Sequence, residues 1–337
     1  PGSFVDVILS LTIRRGSLMA LGFPIQLISK LRCTSDGAAL ELGQNCQLSE
    51  DGGFIRHGTL HCCNCAATFT IDDGILNMLN HVALDDESKL EQQLRNERAI
   101  RSANASKAAW YENEYSSTEL IPTLNALSAG QGQTILELGC GDGRYTVLLA
   151  DQCQWVLAVD FSLESLRILQ LRLEGTRNVA LVHGDITTMK VGAESFDRVL
   201  STLVSNLPTR EHRNGMYRLA GDALKLTGRF VFSTHHHGFW QMLRGEAKSG
   251  RYELSGIYRY NFTVSECTAE ARRYFESIKA RPIQIYLPLA RRLRLPLVTL
   301  SRFLEPIPLI NKLGELILCT AERPIRDNLG EAKTKAG

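Results

Sequence analysis

Three glycines at alternate positions constrain this chain more than any other feature of its sequence. The segment Thr134–Leu138 is apolar except for Glu137 and predicts a buried strand, and Gly139, Gly141 and Gly143 follow it directly. Glycine adopts positive φ without steric cost, so backbone N–H groups in such a turn can approach a ligand that a Cβ would exclude. The pattern therefore predicts a turn that holds a nucleotide-like cofactor. Its G-x-G-x-G spacing differs from the dinucleotide fingerprint G-x-G-x-x-G.

Acidic residues follow the next two apolar runs of the chain. Residues 155–159 lead to Asp160, about 20 residues beyond the glycines, where a carboxylate can accept hydrogen bonds from both ribose hydroxyls. Residues 180–183 lead to Asp185 and Ile186, an acid and an apolar side chain that suit the amino group and the ring of adenine. The two runs therefore predict the rest of a nucleoside site.

Further apolar runs continue a regular alternation of strands and helices. Residues 195–203 form the fourth run, and residues 230–233 form the fifth, after a predicted turn at 226–229. Strands that alternate with helical patterns predict an α/β fold with a parallel, doubly wound sheet that binds ligands at the carboxyl ends of its strands.

These motifs resemble those of the class I S-adenosylmethionine-dependent methyltransferases. The glycine turn resembles the family's first motif, which cradles the methionine moiety, and residues 196–200 resemble its fourth. The resemblance covers residues 111–233 well and implies a seven-stranded Rossmann-like sheet, with residues 314–322 as its antiparallel last strand. S-adenosylmethionine is the implied cofactor. The implied contacts are Tyr111, Glu137, Gly139, Cys140, Gly141, Gly143, Asp160, Phe161, Asp185, Ile186 and Ser201.

Tyr111 is assigned because related methyltransferases often place an aromatic side chain against the cofactor at this point of the chain. It belongs to a group with Trp110 and Tyr115, ahead of the glycine turn. The alternative is a hydrophobic anchor that packs the preceding linker onto the core.

Five of the nine cysteines lie between Cys33 and Cys65, ahead of the glycine turn. Cys62 and Cys65 have the spacing of one half of a zinc site, and Cys33 with Asp36 has the same spacing. A carboxylate in place of a thiolate would hold zinc more weakly. The alternatives to Asp36 as fourth ligand are Cys46, His57, His61 and Cys63.

Residues 60–79 resemble the second half of the small zinc-ribbon methyltransferase activator proteins, which contains Cys-x-x-Cys and Asp-Gly-Ile. The resemblance implies a small N-terminal zinc-ribbon-like β domain with a structural or docking role. The alternative is a ribbon that has lost its metal and remains as a packed β-hairpin. Disulfides are not expected, because the enzyme class is cytoplasmic and reducing conditions keep thiols free.

Candidates for acceptor chemistry follow the fifth strand. His235, His236 and His237 are adjacent, and an imidazole titrates near physiological pH and can act as a general base. Because alternate side chains of an extended chain point to opposite sides, the expected catalytic residue is His235 or His237. Asn206 lacks the Asn-Pro-Pro-aromatic context of enzymes that methylate base amino groups.

Two segments beyond the histidines distinguish this chain from a minimal methyltransferase. Residues 238–263, the acceptor-side insertion, are rich in aromatics and predict either a roof over the acceptor pocket or a small satellite core. Residues 287–313 mix apolar residues with four arginines. They predict either contact with an anionic membrane surface or lipid-like acceptor, or a helical pair that packs on the sheet edge.

Composition agrees with an ordinary enzyme of 337 residues. The 38 basic and 36 acidic side chains leave a net charge of +2, which gives no strong nucleic-acid signature. No apolar run is long enough to span a membrane, and the sequence does not indicate an oligomeric state. The expected organisation is an extension at 1–24 that is partly non-native, a zinc-ribbon-like domain at 25–82, a linker helix at 83–118, a methyltransferase domain at 119–325 and a flexible tail at 326–337.

The sequence thus predicts methyl transfer to an O, N or C atom of a small-molecule or lipid-like acceptor. RNA methylation is one alternative, because zinc ribbons precede some rRNA enzymes. A non-catalytic protein that keeps the fold as a platform for partners is the other alternative.

Overall fold

The computed structural model describes residues 22–80, 84–104, 114–204, 207, 209–285, 295–307 and 310–326. The strands in these residues are β1 (Phe23–Pro24), β2 (Leu31–Arg32), β3 (Leu40–Leu42), β4 (Gln47–Leu48), β5 (Phe54–Cys62), β6 (Thr68–Asp72), β7 (Ile75–Asn77), β8 (Thr134–Leu138), β9 (Trp155–Asp160), β10 (Val179–His183), β11 (Lys190–Val191), β12 (Phe196–Thr202), β13 (Leu224–His235), β14 (Ser249–Arg251), β15 (Tyr258–Tyr260), β16 (Phe275–Ile285) and β17 (Gly314–Pro324).

The α-helices in the same residues are α1 (Asp86–Asn104), α2 (Glu114–Leu127), α3 (Thr146–Ala150), α4 (Leu163–Arg172), α5 (Arg210–Ala223), α6 (Phe239–Leu243), α7 (Val264–Ala271) and α8 (Leu297–Leu304). Two short 3₁₀ helices cover Ile25–Lys30 and Ile310–Leu313. None of the helices in the described part of the chain combines the length and the apolar character that a bilayer crossing requires.

The predicted seven-stranded Rossmann-like sheet is confirmed. Its strand order is β10-β9-β8-β12-β13-β17-β16, and the first five strands of this order are parallel to one another. Strand β17 runs antiparallel to both β13 and β16, as expected for the last strand. The order reverses between β8 and β12, and in such sheets the crevice at the carboxyl ends of the strands at this switch point binds ligands.

The central strands are covered on both faces, because their alternate side chains enter two separate cores. In β8, Leu136 and Leu138 belong to one core with residues of α5 and α7, whereas Ile135 belongs to the other with residues of α2, α3 and α4. All five residues of β8 are buried. A strand buried on both faces explains the nearly continuous apolar run that the sequence shows here.

The predicted N-terminal β region is present, and it extends the same sheet. Strands β5, β6 and β7 form an antiparallel meander, and β7 then pairs in parallel with β10, with Leu76 opposite Val182. The turn between β6 and β7 needs Gly74, which has φ of +79° and whose added Cβ would lie 2.7 Å from Cα of Gly22. The buried apolar residues of this β region belong to the same core as those of α5.

Strand β13 begins earlier than the predicted fifth strand. Phe196 of β12 lies opposite Leu224, and Arg198 lies opposite Arg229, so the longer stretch of β13 forms a bulge. The predicted turn at 226–229 therefore lies inside the strand. A bulge of this kind adds residues to a strand that stays paired, and the local sequence of those residues resembles a turn.

Candidate functional site

The glycine loop has one face fixed by packing and one face open. An added Cβ on Gly139 would lie 2.2 Å from Cγ2 of Val204, and one on Gly143 would lie 2.1 Å from Cδ1 of Leu169. An added Cβ on Gly141 would meet no atom within 4 Å, although its φ of +56° is in the left-handed region. The loop therefore has room for a ligand above Gly141.

Asp160, at the end of β9, faces this loop. Its Oδ2 accepts a hydrogen bond from the Gly141 N–H at 2.7 Å, and its Oδ1 accepts one from the Ser162 N–H at 2.8 Å. Burial raises the pKa of Asp160, and the two N–H groups oppose that shift. Each carboxylate oxygen retains acceptor capacity for a hydroxyl group.

Glu137 lies beneath the loop, inside the core. Its Oε2 accepts a hydrogen bond from Oγ1 of Thr146 at 2.7 Å, which supplies the polar partner that a buried strand-end acid requires. Burial raises the pKa of Glu137 to about 8. Cys140 is also buried, and burial raises the pKa of its thiol well above the usual value, which makes the thiol unreactive.

An ion pair attaches the loop to the neighbouring elements. Arg144 pairs with Glu119 of α2, and both side chains are largely buried. The second carboxylate oxygen of Glu119 accepts a hydrogen bond from Oγ of Ser233 in β13 at 2.8 Å. No local sequence pattern links the members of this group, because they come from three distant segments.

The remaining predicted cofactor residues lie in different surroundings. Asp185 accepts hydrogen bonds from the N–H and the hydroxyl of Thr187, both at 2.8 Å, and Ile186 is buried. Ser201 is buried within β12, and its hydroxyl donates to Sδ of Met216 at 3.5 Å. Tyr111 and Asn206 lie outside the described residues, as do Arg291, Arg292 and Arg294 of the predicted basic segment.

Helix α1, predicted only as a connection, lies beside the site. It packs against α4, Gln92 donates to the Phe161 carbonyl at 3.0 Å, and Asn96 accepts from Oγ of Ser162 at 2.7 Å. At the same time Glu91 accepts from the Tyr258 N–H at 3.2 Å, so α1 connects the end of β9 with the acceptor-side insertion. The arginines of α1 recur every third residue, and this spacing was the sequence signal available for the position of α1 beside the site.

The three histidines diverge at the end of β13. Nε2 of His235 lies 3.3 Å from the Tyr252 hydroxyl, whereas Nδ1 of His236 donates to the Gly314 carbonyl at 2.7 Å. His237 donates its backbone N–H to the Phe262 carbonyl at 2.7 Å, and its Nδ1 is buried without a partner among the described residues. Burial, together with the charges of nearby arginines, lowers the pKa of His235 to about 4. A group with that pKa is neutral at physiological pH and is a weak base.

The predicted metal ligands lie together in the N-terminal β region. One ligand atom from each of Cys33, Asp36, Cys62 and Cys65 lies within 4.8 Å of all the others. The Cys33 and Cys65 sulfurs are 3.6 Å apart, and the Cys62 sulfur is 3.4 Å from Oδ1 of Asp36. Three sulfur donors and one carboxylate in such a cluster have the number and chemistry of a tetrahedral zinc site.

Backbone groups prepare this cluster for negative charge. The N–H groups of Asn64 and Cys65 each donate to the Cys62 sulfur at 3.4 Å, and the Ala38 N–H lowers the pKa of Asp36. The alternative fourth ligands make contacts elsewhere: Cys46 with Thr59, His57 with Asp72 and His61 with Thr59 and Thr68, while Cys63 is exposed.

The fold and the glycine loop together are typical of α/β proteins that bind a nucleoside cofactor, and comparisons with known proteins identify the family. Residues 135–228 match the family described as Methyltransferase domain. The chain is 32% identical over 151 residues to the tRNA (guanine-N(7)-)-methyltransferase of Thermus thermophilus, a match that covers 41% of this chain and 47% of the relative. It is 30% identical over 169 residues to the demethylmenaquinone methyltransferase of Mycobacterium tuberculosis, covering 49% and 67%.

Among solved structures, an S-adenosylmethionine-dependent methyltransferase from Mesorhizobium loti aligns with a TM-score of 0.45 and 18% identity over 61% of this chain and 98% of that one. The chain belongs to the class I S-adenosylmethionine-dependent methyltransferases, which confirms the resemblance seen in the sequence. It spans about half the length of several curated relatives that it matches.

Proposed function

We propose that this protein transfers a methyl group from S-adenosylmethionine to a small-molecule or lipid-like acceptor. The observation that carries the proposal is the open face above Gly141, directly beside the Asp160 carboxylate. A glycine turn leaves room for a ligand that a Cβ would reduce, and the neighbouring carboxylate can accept hydrogen bonds from hydroxyl groups. This combination suits an adenosyl cofactor.

In this proposal the residues have distinct tasks. Gly139, Gly141 and Gly143 shape the cradle, and Asp160 accepts hydrogen bonds from the ribose hydroxyls, while Glu137 and Cys140 support the loop from below. Tyr111, Phe161, Asp185, Ile186 and Ser201 complete the proposed set of cofactor contacts. The bound cofactor supplies an electrophilic methyl group, so the protein mainly has to align the acceptor with it and accept a proton where the acceptor carries one.

The acceptor side supports an apolar or amphiphilic acceptor. Helix α6 follows His237 directly, and Phe239, Met242 and Leu243 in it are 45%, 57% and 66% exposed. Apolar side chains grouped beside a site are typical of surfaces that meet an apolar ligand or a membrane. Peripheral contact with a membrane is part of the proposal for a lipid-like acceptor, and His235 or His237 is the proposed proton acceptor.

A methyl-transfer assay tests the acceptor class. Protein is incubated with S-adenosylmethionine that carries a tritiated methyl group and with fractions of small molecules, lipids or RNA. Label in the small-molecule or lipid fraction is the expected result. Label that enters only RNA and is removed by ribonuclease would instead support the RNA alternative, which the similarity to tRNA and rRNA methyltransferases suggests. Failure to bind S-adenosylhomocysteine in calorimetry would support the non-catalytic platform.

We also propose that Cys33, Asp36, Cys62 and Cys65 hold a structural zinc ion, and that the protein works in the cytoplasm, where thiols stay reduced. The chemistry of the donor set carries this proposal. Metal content by mass spectrometry of protein purified without chelators should give one zinc per chain. The variant Cys62→Ser should lose the metal and melt at a lower temperature, whereas Cys153→Ser, a buried cysteine outside the cluster, should keep it. Metal-free wild-type protein would indicate a ribbon that has lost its metal and remains as a packed β-hairpin.

A further inference from the structure

Arginines of α1 and of the acceptor-side insertion contribute positive charge at His235. The guanidinium carbon of Arg259 lies 5.2 Å from the centre of the Tyr252 ring, and the Tyr252 hydroxyl lies 3.3 Å from Nε2 of His235. Helix α1, which carries Arg95 and Arg98, is bonded to the strand that carries Arg259, because a backbone N–H of β15 donates to a carboxylate of α1 at 3.2 Å. After burial, the charges of Arg259, Arg98 and Arg95 are the causes that lower the pKa of His235. Positive charge is therefore concentrated where the acceptor is proposed to bind.

Two of these charges lack a close carboxylate partner among the described residues. Arg95 pairs with Glu91 at 2.9 Å and is neutralised locally. Arg98 is exposed and has no ion pair in the described part of the chain. Among the carboxylates of the described residues, Arg259 reaches only that of Glu246, at 3.9 Å, and Glu246 is closer to Arg244, at 3.2 Å. Arg98 and Arg259 are thus available for an anion.

Polar atoms of the same region are buried without hydrogen-bond partners. Among the described residues these include Nδ1 of His237, Nε1 of Trp240 and Nε of Arg259. Buried polar atoms in folded proteins nearly always have partners, and an exception at a candidate site points to a ligand. Two of the three atoms, Trp240 Nε1 and Arg259 Nε, are N–H donors, which suits a ligand rich in acceptor oxygens.

We propose that Arg98 and Arg259 bind an oxyanion of the methyl acceptor, a phosphate or a carboxylate, beside Tyr252 and His235. This inference rests on the proposed methyl transfer and specifies its substrate class. A guanidinium presents paired N–H donors that match the oxygens of both groups. An anion at this place also offsets the positive field at His235, so the acceptor itself makes the imidazole a better proton acceptor.

The strongest competing assignment concerns Arg98 alone. Its guanidinium also interacts with Asp142 of the glycine loop, so it could instead hold the carboxylate of the cofactor. Methylthioadenosine, which lacks the amino-acid part of S-adenosylhomocysteine, separates the two assignments. If Arg98 serves the acceptor, Arg98→Ala binds both cofactor analogues like the wild type. Weaker binding of S-adenosylhomocysteine alone would overturn the proposal.

The main experiment is calorimetric titration of phenyl phosphate and benzoate into protein saturated with S-adenosylhomocysteine. We expect wild type to bind at least one of the two, and Arg98→Ala and Arg259→Ala each to bind it at least about tenfold more weakly, as for a lost charge-assisted hydrogen bond. Arg101→Ala on α1 is the matched control and should bind like the wild type. Equal binding by all four proteins, or no binding by the wild type, would overturn the proposal.

Two further readouts complete the test. In NMR titrations the imidazole of His235 should gain a higher pKa when phenyl phosphate is present, and this rise should be lost in Arg259→Ala; an unchanged pKa contradicts the proposal. Inorganic phosphate compared with vesicles of phosphatidylglycerol in phosphatidylcholine distinguishes a free phosphate from a lipid headgroup, and preference for either supports an oxyanion site. Failure of S-adenosylhomocysteine itself to bind is a separate result, which contradicts the proposed function.

Discussion

The backbone N–H of Gly141 donates to Oδ2 of Asp160 at 2.7 Å, so the glycine loop after β8 is bonded directly to the end of β9. The same carboxylate accepts the Ser162 N–H at the start of α4. One side chain therefore orders three segments around the proposed cofactor site. Substitution of Asp160 should alter both the ligand contact and the shape of the loop.

Replacing Asp160 with Ala should weaken the binding of S-adenosylhomocysteine by at least about tenfold, because each lost hydrogen bond to a charged group contributes about 1.5–3 kcal/mol. Isothermal titration calorimetry measures the change. Asp151→Ala, at an exposed position after α3, is the control and should bind normally. Equal affinities for wild type and Asp160→Ala would remove Asp160 from the site.

Alanine substitutions in the glycine loop should separate stability from binding. Gly143→Ala places a Cβ against Leu169 and should lower the melting temperature, because the α4 side chain is held in the core. Gly141→Ala meets no atom and should lose only about 1 kcal/mol of stability, from its left-handed backbone. Its affinity for S-adenosylhomocysteine should nevertheless fall. A Gly141→Ala variant with wild-type affinity would show that no ligand lies above this residue.

Glu137 should make stability depend on pH. Its folded-state pKa, about 8, lies above the ordinary value of 4.5, so the folded protein holds a proton that the unfolded chain releases. The associated stability is fully present below pH 4.5 and is lost as pH rises through 8, at up to about 1.4 kcal/mol per pH unit.

Urea unfolding of Glu137→Gln at pH 5, 7 and 9 tests this dependence. The variant should lack that slope and gain stability relative to wild type as pH rises. Glu211→Gln, exposed on α5, should follow the wild-type profile. Parallel profiles for wild type and Glu137→Gln would show that Glu137 is ionised in the folded protein.

Arg213 and Glu270 should show strong thermodynamic coupling. They form a buried two-pronged ion pair, with N–O distances of 3.0 and 2.9 Å, and the Tyr260 ring of the acceptor-side insertion stacks on Arg213 at 4.7 Å. Arg213→Met leaves a buried carboxylate without a cation and should cost about 3–5 kcal/mol.

The double variant Arg213→Met with Glu270→Met should recover most of that loss, because both charges are removed together. Urea unfolding of the two single variants and the double variant gives the coupling energy. Arg218→Met, exposed on the same helix, is the control and should be nearly neutral. Additive losses in the double variant would show that the pair does not act as a unit.

The central sheet was predictable because each of its strands has a local signal. Residues 155–159 and 180–183 are apolar runs with an acid close behind, and the structure places their strands at Trp155–Asp160 and Val179–His183. Strand β13 was predicted too short, since its bulge contains Thr227 and Gly228, which locally resemble a turn. Local signals report φ and ψ preferences and not the pairing that overrides them.

The surroundings of the acceptor site were less predictable. Arg98 of α1 and Arg259 of β15 contribute charge at His235 only because tertiary packing joins these two elements, and no spacing rule links positions so far apart in sequence. The four-residue cysteine and aspartate cluster could be predicted, because its knuckle spacing is a local pattern. Whether a helix connects two domains or lies beside a site depends on contacts such as Gln92 with Phe161, which the sequence does not encode locally.

The parallel pairing of β7 with β10 has a consequence for synthesis on the ribosome. About 100 residues separate the two strands, and translation adds about 5–20 residues per second. The edge of β7, with Ile75 and Leu76, therefore stays unpaired for roughly 5–20 s until β10 has been synthesised. An unpaired strand edge is a site of intermolecular association. Nascent chains that stall before β10 should therefore be the species that aggregates or engages chaperones.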